Sequence, residues 1–215
     1  MAKMNQTETV YAKLRERIDQ GYYSPSESLP EVELATELDV SRNTIKKALL
    51  MLETDGYVVI EQNKGAKVRS YSKQEVLEYL QLRVELEGFI VRLAAGNISK
   101  KSLAKLESIF EKMSACREAN DLMGYSALNQ QFHSLIYDAC PNRTATDLLI
   151  HLKGRMRKYN GKTILVPGRD QHSYEEHRQI LEALKAGDAA AAEAAVRRHV
   201  ESVRKTFEDY YSLLF

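Results

Sequence analysis

Long apolar runs, cysteines and an excess of charge of either sign are all scarce in these 215 residues. No stretch approaches the roughly 20 consecutive apolar residues that span a bilayer. The opening MAKMNQTETV has no apolar leader core, so a soluble, cytoplasmic protein is expected. The two cysteines, Cys116 and Cys140, have no CxxC partner and fall in helical patterns, which excludes a disulfide framework or zinc knuckle and leaves them as packing residues. Common catalytic signatures are missing as well: there is no HExxH, no Gly-x-Ser-x-Gly and no phosphate-binding glycine loop. A net charge of +1 neither demands nor forbids a polyanionic partner, because clustering matters more than total charge.

What is present is a clustering of charge. Residues 1–40 are acidic in balance, whereas 41–69 carry Arg42, Lys46, Lys47, Lys64, Lys67 and Arg69 against Glu53, Asp55 and Glu61. Val10, Leu14 and Ile18 recur at helical spacing until Gly21 and Pro25 stop the pattern. A second helix follows Pro30 with Leu34, Ala35 and Leu38. After a break at Asp39-Val40 a third starts at Ser41, a good N-cap, with Ile45, Ala48, Leu49 and Leu52 facing inward. Two short helices around a tight turn suggest a helix-turn-helix. Residues 57–60 and 66–69 are strand-like and flank Asn63-Lys64-Gly65, which predicts a hairpin with a basic tip.

Residues 70–72 read as a linker, and from Lys73 onward the patterns are helical throughout. Helices are predicted near 74–96, 99–118, 121–140, 143–160, 171–186 and 188–211. The alanine-rich run Ala189 to Ala195 reads as helix because alanine is the best helix former and the pattern continues through Val196, Val200 and Val203.

With Ile45, Ala48, Leu49 and Leu52 inward, the first two turns of the third helix present Arg42, Asn43, Lys46 and Lys47. In a helix-turn-helix those turns enter the major groove. Arginine and lysine reach phosphates or guanine edges there and asparagine pairs with adenine, while Lys64 would reach an adjacent groove. The plain alternative is a solvated basic surface. The segment IDQGYYSPSESLPEVELATELDVSRNTIKKALLMLETDGYVVIEQNKGAKV resembles the winged helix-turn-helix of GntR-family regulators. It shares their Gly-x-x-x-Pro turn, Leu-x-Glu-x-x-Leu-Ala, Val-Ser-Arg, basic pair before Ala-Leu and glycine-containing wing. It departs from them at Ser26, where glycine usually follows the proline, at Asn43-Thr44, at Lys46 and at Val32, a common arginine. The resemblance implies DNA contacts at Arg42, Lys46 and the wing around Lys64. Valine at position 32 cannot make the phosphate or base contact that the family's arginine offers, which implies an altered operator preference.

Asn129 and His133 lie four residues apart on one helical face, and His177 and His199 fall on later helices. Three imidazoles and an amide oxygen suit a divalent metal in a helical bundle. Hydrogen-bonded core histidines would account for the same residues, and His151 and His172 are equally eligible ligands on spacing alone. Arg83 sits within the stripe Val76, Tyr79, Leu80, Leu86, Ile90 and Leu93. A guanidinium there needs an anion, either Glu87 one turn on or an effector carboxylate. Glu175 and Glu176 are expected to favour a helix amino terminus.

The segments YLQLRVELEGFIVRLAA, NQQFHSLIYDACPN and YEEHRQILEALKAGDAAAAEAAVRRHV are similar, in order, to the FCD domain of the FadR-like GntR branch. That resemblance implies metal ligation by Asn129, His133, His177 and His199, with zinc first and nickel, manganese or iron also suitable. The neutral amide is a poorer ligand than the carboxylate found in other members. It also implies a carboxylic-acid effector at Arg83.

The expected fold is therefore mainly α: an N-terminal winged helix-turn-helix with a small β-hairpin over 1–72, and a C-terminal all-α, FCD-like bundle over 73–215 for effector binding and dimerisation. The implied function is a homodimeric regulator, by default a repressor, binding double-stranded operator DNA under control of a small-molecule effector in a metal-containing domain. Two other classes compete. A metal-dependent hydrolase is weakened by the missing catalytic motifs, and a DNA-binding protein with a purely structural dimerisation domain would hold neither metal nor ligand.

Overall fold

The computed structural model describes residues 5–62, 64–156, 159 and 161–214. The chain forms two compact units, 1–72 together with 154–158, and 73–153 together with 159–215.

In the first unit α1 (Gln6–Asp19), α2 (Glu31–Glu37) and α3 (Arg42–Thr54) pack with a three-stranded antiparallel sheet. Two of the helix starts have a clear local cause. At α1 the Asn5 side chain accepts from the Glu8 amide while the Glu8 carboxylate accepts from the Asn5 amide. At α3 Ser41 Oγ accepts from the Thr44 amide at 3.1 Å, as the sequence predicts. Ile45, Ala48, Leu49 and Leu52 of α3 are buried, together with Val10, Leu14, Leu29, Leu34, Tyr57, Val58, Ala66 and Val68.

The hairpin strands are β2 (Val58–Glu61) and β3 (Gly65–Val68), β2 one residue later and β3 one earlier than the pattern suggests. Of the expected tip, Lys64 and Gly65 are described, Gly65 at φ 81°, while Asn63 lies outside the described residues. A further strand, β1 (Ser28–Leu29), pairs with β3 and puts β3 at the centre of the sheet. Two residues are too few to show a period in the sequence. Its entry explains Ser26, which adopts φ 65° and donates its amide to the Val68 carbonyl at 2.9 Å. A glycine would take that left-handed backbone without strain.

The second unit is all-helical: α4 (Lys73–Ala95), α5 (Lys100–Glu118), α6 (Leu122–Asp138), α7 (Arg143–Arg155), a 3-10 turn (Lys162–Leu165), α8 (Arg169–Ala186), α9 (Ala189–Asp209) and α10 (Tyr211–Leu214). Helix α7 ends at Arg155, short of the predicted 160; of that tail, 157, 158 and 160 lie outside the described residues. The 3-10 turn has no counterpart in the sequence pattern. Helix α8 starts two residues earlier than predicted because Gly168, at φ 77°, turns the chain directly into it. The alanine run is helix, and Ala192 and Ala195 let α9 pack closely against the core with Val196 and Val200. No helix among the described residues is long and apolar enough to cross a membrane.

The two cores differ in kind. Among the described residues, every buried polar or charged side chain other than tyrosine, from Arg83 and Glu87 to His177 and His199, lies in the second unit.

Ser26→Gly should stabilise the first unit. A non-glycine residue in the left-handed region costs roughly 1–2 kcal/mol, and the added backbone entropy of glycine returns about 0.5–1 kcal/mol. The net gain expected in chemical denaturation is about 0.5–1 kcal/mol, and a loss of stability would contradict this account of Ser26.

Candidate metal centre and DNA interface

On α3 the buried stripe leaves Arg42, Asn43, Lys46 and Lys47 exposed on the first two turns. The Arg42 side chain is 67% exposed and holds only a loose pair with Glu31 at 3.7 Å, so its guanidinium is available to a partner. Lys64 is 70% exposed and lies 3.3 Å from Glu61, which also faces Lys67 at 3.4 Å. The hydrogen bond from Lys64 leads the effects that hold the Glu61 carboxyl below its ordinary value. Val32 is exposed on α2 and adds no charge to this surface.

In the second unit α6, α8 and α9 bring His133, His177 and His199 together, with one ligand nitrogen of each within 4.8 Å of the others. All three imidazoles are buried. Asn129, one turn before His133 on α6, turns its Oδ1 to 2.8 Å from His177 Nε2, and His133 Nε2 stands 3.1 Å from the same atom. His151 is half-buried on α7 and His172 is exposed on α8; neither joins the cluster.

The outer nitrogens decide the chemistry. His177 Nδ1 is 2.6 Å from the Ser173 carbonyl, which can only accept, so Nδ1 carries the proton. Burial first, and then the nearby His199, lowers His177 to about 3, so the ring is neutral and Nε2 is a bare lone pair. That lone pair faces Asn129 Oδ1, another acceptor. A cation placed between them satisfies both acceptors. His199 Nδ1 is likewise held, at 2.8 Å, by Glu176 Oε2, leaving Nε2 free. His133 Nδ1 lies 3.9 Å from Glu87 Oε2, and burial holds this histidine well below its ordinary value. Neutral imidazoles oriented through their far nitrogens by carbonyl and carboxylate are the usual condition of metal ligands. The donor set fits zinc, nickel, manganese or iron.

Glu176 corrects the sequence reading. It is not at a helix start, because α8 begins at Arg169, seven residues earlier; instead it joins His199 on α9 to Arg169, whose Nη2 is 2.8 Å from the same Oε2. Burial would raise its carboxyl, but His199 and Arg169 outweigh that and hold it at about 2. Glu175 pairs with Arg178 at 2.6 Å on the surface.

Beside His133 lies a second cluster. Arg83, 6% exposed, donates Nε to Glu87 Oε1 at 2.6 Å, so the partner one turn on is Glu87. Tyr137 donates to Glu87 Oε2 at 2.6 Å, and Lys153 donates to the Tyr137 hydroxyl at 3.1 Å while lying 3.9 Å from Glu87. Glu87 is completely buried. Desolvation would raise its carboxyl, yet Arg83, Lys153 and Tyr137 keep it at about 2. Lys153 is lowered to about 8, chiefly by burial, against the pull of Glu87. Lys153 and Tyr137 are invisible to sequence reasoning because their partner Glu87 stands on another helix, and Ser173 and Arg169 because nothing in the pattern marks them, although their partners His177 and Glu176 lie on the same helix.

A winged helix carrying an exposed basic reading helix, joined in one chain to a helical bundle with a buried histidine centre, defines a DNA-binding transcription regulator. The FCD domain family matches residues 78–202, and the family described as bacterial regulatory proteins, gntR family, matches residues 6–68. The regulator YdhC of Bacillus subtilis, of HTH type, is 30% identical over 195 residues, 88% of this chain and 85% of that protein. The HTH-type transcriptional repressor RspR of Escherichia coli is 23% identical over 197 residues, 92% and 86% of the two chains. Among solved structures, E. coli McbR/YncC superposes with a TM-score of 0.76 at 23% identity, covering 97% of this chain and 100% of that one, a likeness of fold. The chain belongs to the GntR family, in its FCD-domain branch. Its curated relatives are transcription regulators, which sets the hydrolase reading aside.

Glu87→Ala should be severely destabilising, since it strands Arg83 in the interior. Breaking one side of a buried pair costs about 3–5 kcal/mol, against about 0.2–1 kcal/mol for an exposed one. Urea denaturation should show the larger loss for Glu87→Ala and the smaller for Glu201→Ala, which removes the exposed carboxylate paired with Arg204. Equal losses would remove the cluster from its structural role.

Proposed function

We propose that this protein is a homodimeric repressor whose grip on operator DNA is set by a carboxylate effector bound beside a metal ion in the FCD unit. Residues 1–72 form the DNA-binding domain and 73–215 the effector-binding and dimerisation domain. Arg42, Asn43, Lys46 and Lys47 read the major groove and Lys64 anchors the wing. Repression accords with the name of the relative RspR. Dimerisation follows from the small footprint of one reading helix, which a two-fold operator doubles.

One observation carries the reading of the second unit: three buried neutral histidines aim their free nitrogens at one another and at Asn129, and their outer nitrogens are already committed or turned to carboxylates. Asn129, His133, His177 and His199 would hold the ion, zinc by preference. When bound, it would supply a positive centre to which a carboxylate oxygen is drawn. Arg83 and Lys153 stand beside His133 at Glu87, and a guanidinium and an ammonium there suit an anionic effector on that side. Effector and DNA then oppose each other by linkage, with a coupling of about 1–3 kcal/mol felt equally at both sites.

Arg42→Ala and Lys46→Ala should each weaken operator binding by about 1–3 kcal/mol if they contact base edges, measured by fluorescence titration. Full affinity in both variants would remove the assigned reading face.

His133→Ala and His177→Ala should lose retained metal in elemental analysis and blunt the response to effector, while metal-independent DNA binding persists. Unchanged metal affinity in both would leave these histidines as hydrogen-bonded core residues.

A further inference from the structure

Helix α2 is the first helix of the helix-turn-helix, the one that crosses the DNA backbone while the second enters the groove. Its seven residues, EVELATE, hold three carboxylates and no cation. Glu37 is taken up by Arg17 at 2.5 Å, and Val32 stands exposed without a charge to offer a phosphate. Glu31, the first residue of α2, faces the reading surface instead: its Oε2 lies 3.7 Å from Arg42 Nη2.

The length of that pair decides what it can do. At 3.7 Å the two charges attract but exchange no hydrogen bond, so the guanidinium keeps its donors while part of its charge is answered. A phosphate is held mainly by charge and is the same in every sequence, whereas a guanine edge is held by a fixed fork of donors. A carboxylate beside the arginine therefore weakens the first kind of contact more than the second. The wing repeats the arrangement, with Glu61 lying 3.3 Å from Lys64 and 3.4 Å from Lys67.

We propose that Glu31 is a specificity-determining residue of the DNA interface, which competes with phosphate for Arg42 and so lowers affinity for non-operator DNA more than for the operator. This rests on the reading face assigned above and adds to it a residue of opposite charge that acts through Arg42. An exposed ion pair without such a role makes a different claim: its loss would leave discrimination unchanged.

The test is fluorescence titration of the full chain against two probes, the duplex it enriches from a random-sequence pool and a scrambled duplex of equal length. Glu31→Gln should tighten binding to the scrambled duplex about threefold and leave the enriched duplex within about 1.5-fold, so that the ratio of the two affinities falls. The slope of log affinity against log salt on the scrambled duplex should steepen by about 0.9, the signature of one more phosphate engaged. In an Arg42→Ala background the same substitution should leave the ratio unchanged, because its effect passes through the guanidinium. Glu33→Gln, which removes an equal charge from an exposed position on the same helix, should also leave the ratio unchanged. A Glu31→Gln protein with the wild-type ratio and salt slope overturns the proposal. So does an equal effect from Glu33→Gln, or one that persists without Arg42, since either marks the general field of an acidic helix. A wild-type chain that enriches no sequence overturns the reading face as well, whereas an enriched sequence whose binding depends on Arg42 but not on Glu31 overturns only this inference.

Discussion

A carboxylate with no solvent exposure is tolerable only where its charge is answered on the spot, and Glu87 imposes that condition on its surroundings. Arg83 meets it from one turn earlier on α4, Tyr137 from α6 and Lys153 from the end of α7. The desolvation of a lone ion would be prohibitive, so the three helices are bound to one register as surely as by apolar packing. His133 lies one turn before Tyr137 on α6, and the orientation of that helix sets where its imidazole points. The histidine centre therefore inherits its geometry from an ion cluster that contains no histidine.

The same logic recurs at Glu176, where one carboxylate oxygen faces both His199 and Arg169. Each carboxylate stands behind a different imidazole and draws a guanidinium with it. The arrangement couples ligand orientation to charge: whatever neutralises the arginines alters how firmly the carboxylates hold the rings. Outer partners of this kind tune metal ligands as well as positioning them.

The DNA-reading unit is legible in the sequence because its information is local. Ile45, Ala48, Leu49 and Leu52 fall at helical spacing, Ser41 caps, Gly65 turns, and the exposed basic residues follow by subtraction. The strand Ser28–Leu29 escapes because two residues carry no period, and its existence depends on pairing with β3. In the second unit the pair Asn129 and His133 is visible at four-residue spacing, but the choice of His177 and His199 over His151 and His172 comes from family likeness. Spacing within one helix says nothing about which faces of different helices meet. For that reason Lys153 goes unnoticed in the sequence, and Glu176 reads as a helix-start residue when its partner His199 stands 23 residues away on α9.

The division of buried polar groups between the units bears on how freely each can change. The core of the first unit closes on aliphatic and aromatic side chains, where exchanges that conserve volume are tolerated one position at a time. In the second, Glu87, Tyr137, Glu176 and His199 are each tied to at least one charged neighbour, so a substitution at one leaves another stranded unless both alter together. The reading head can thus drift to new operator sequences by single steps, while the polar centre is held to its present chemistry by the need for paired ones.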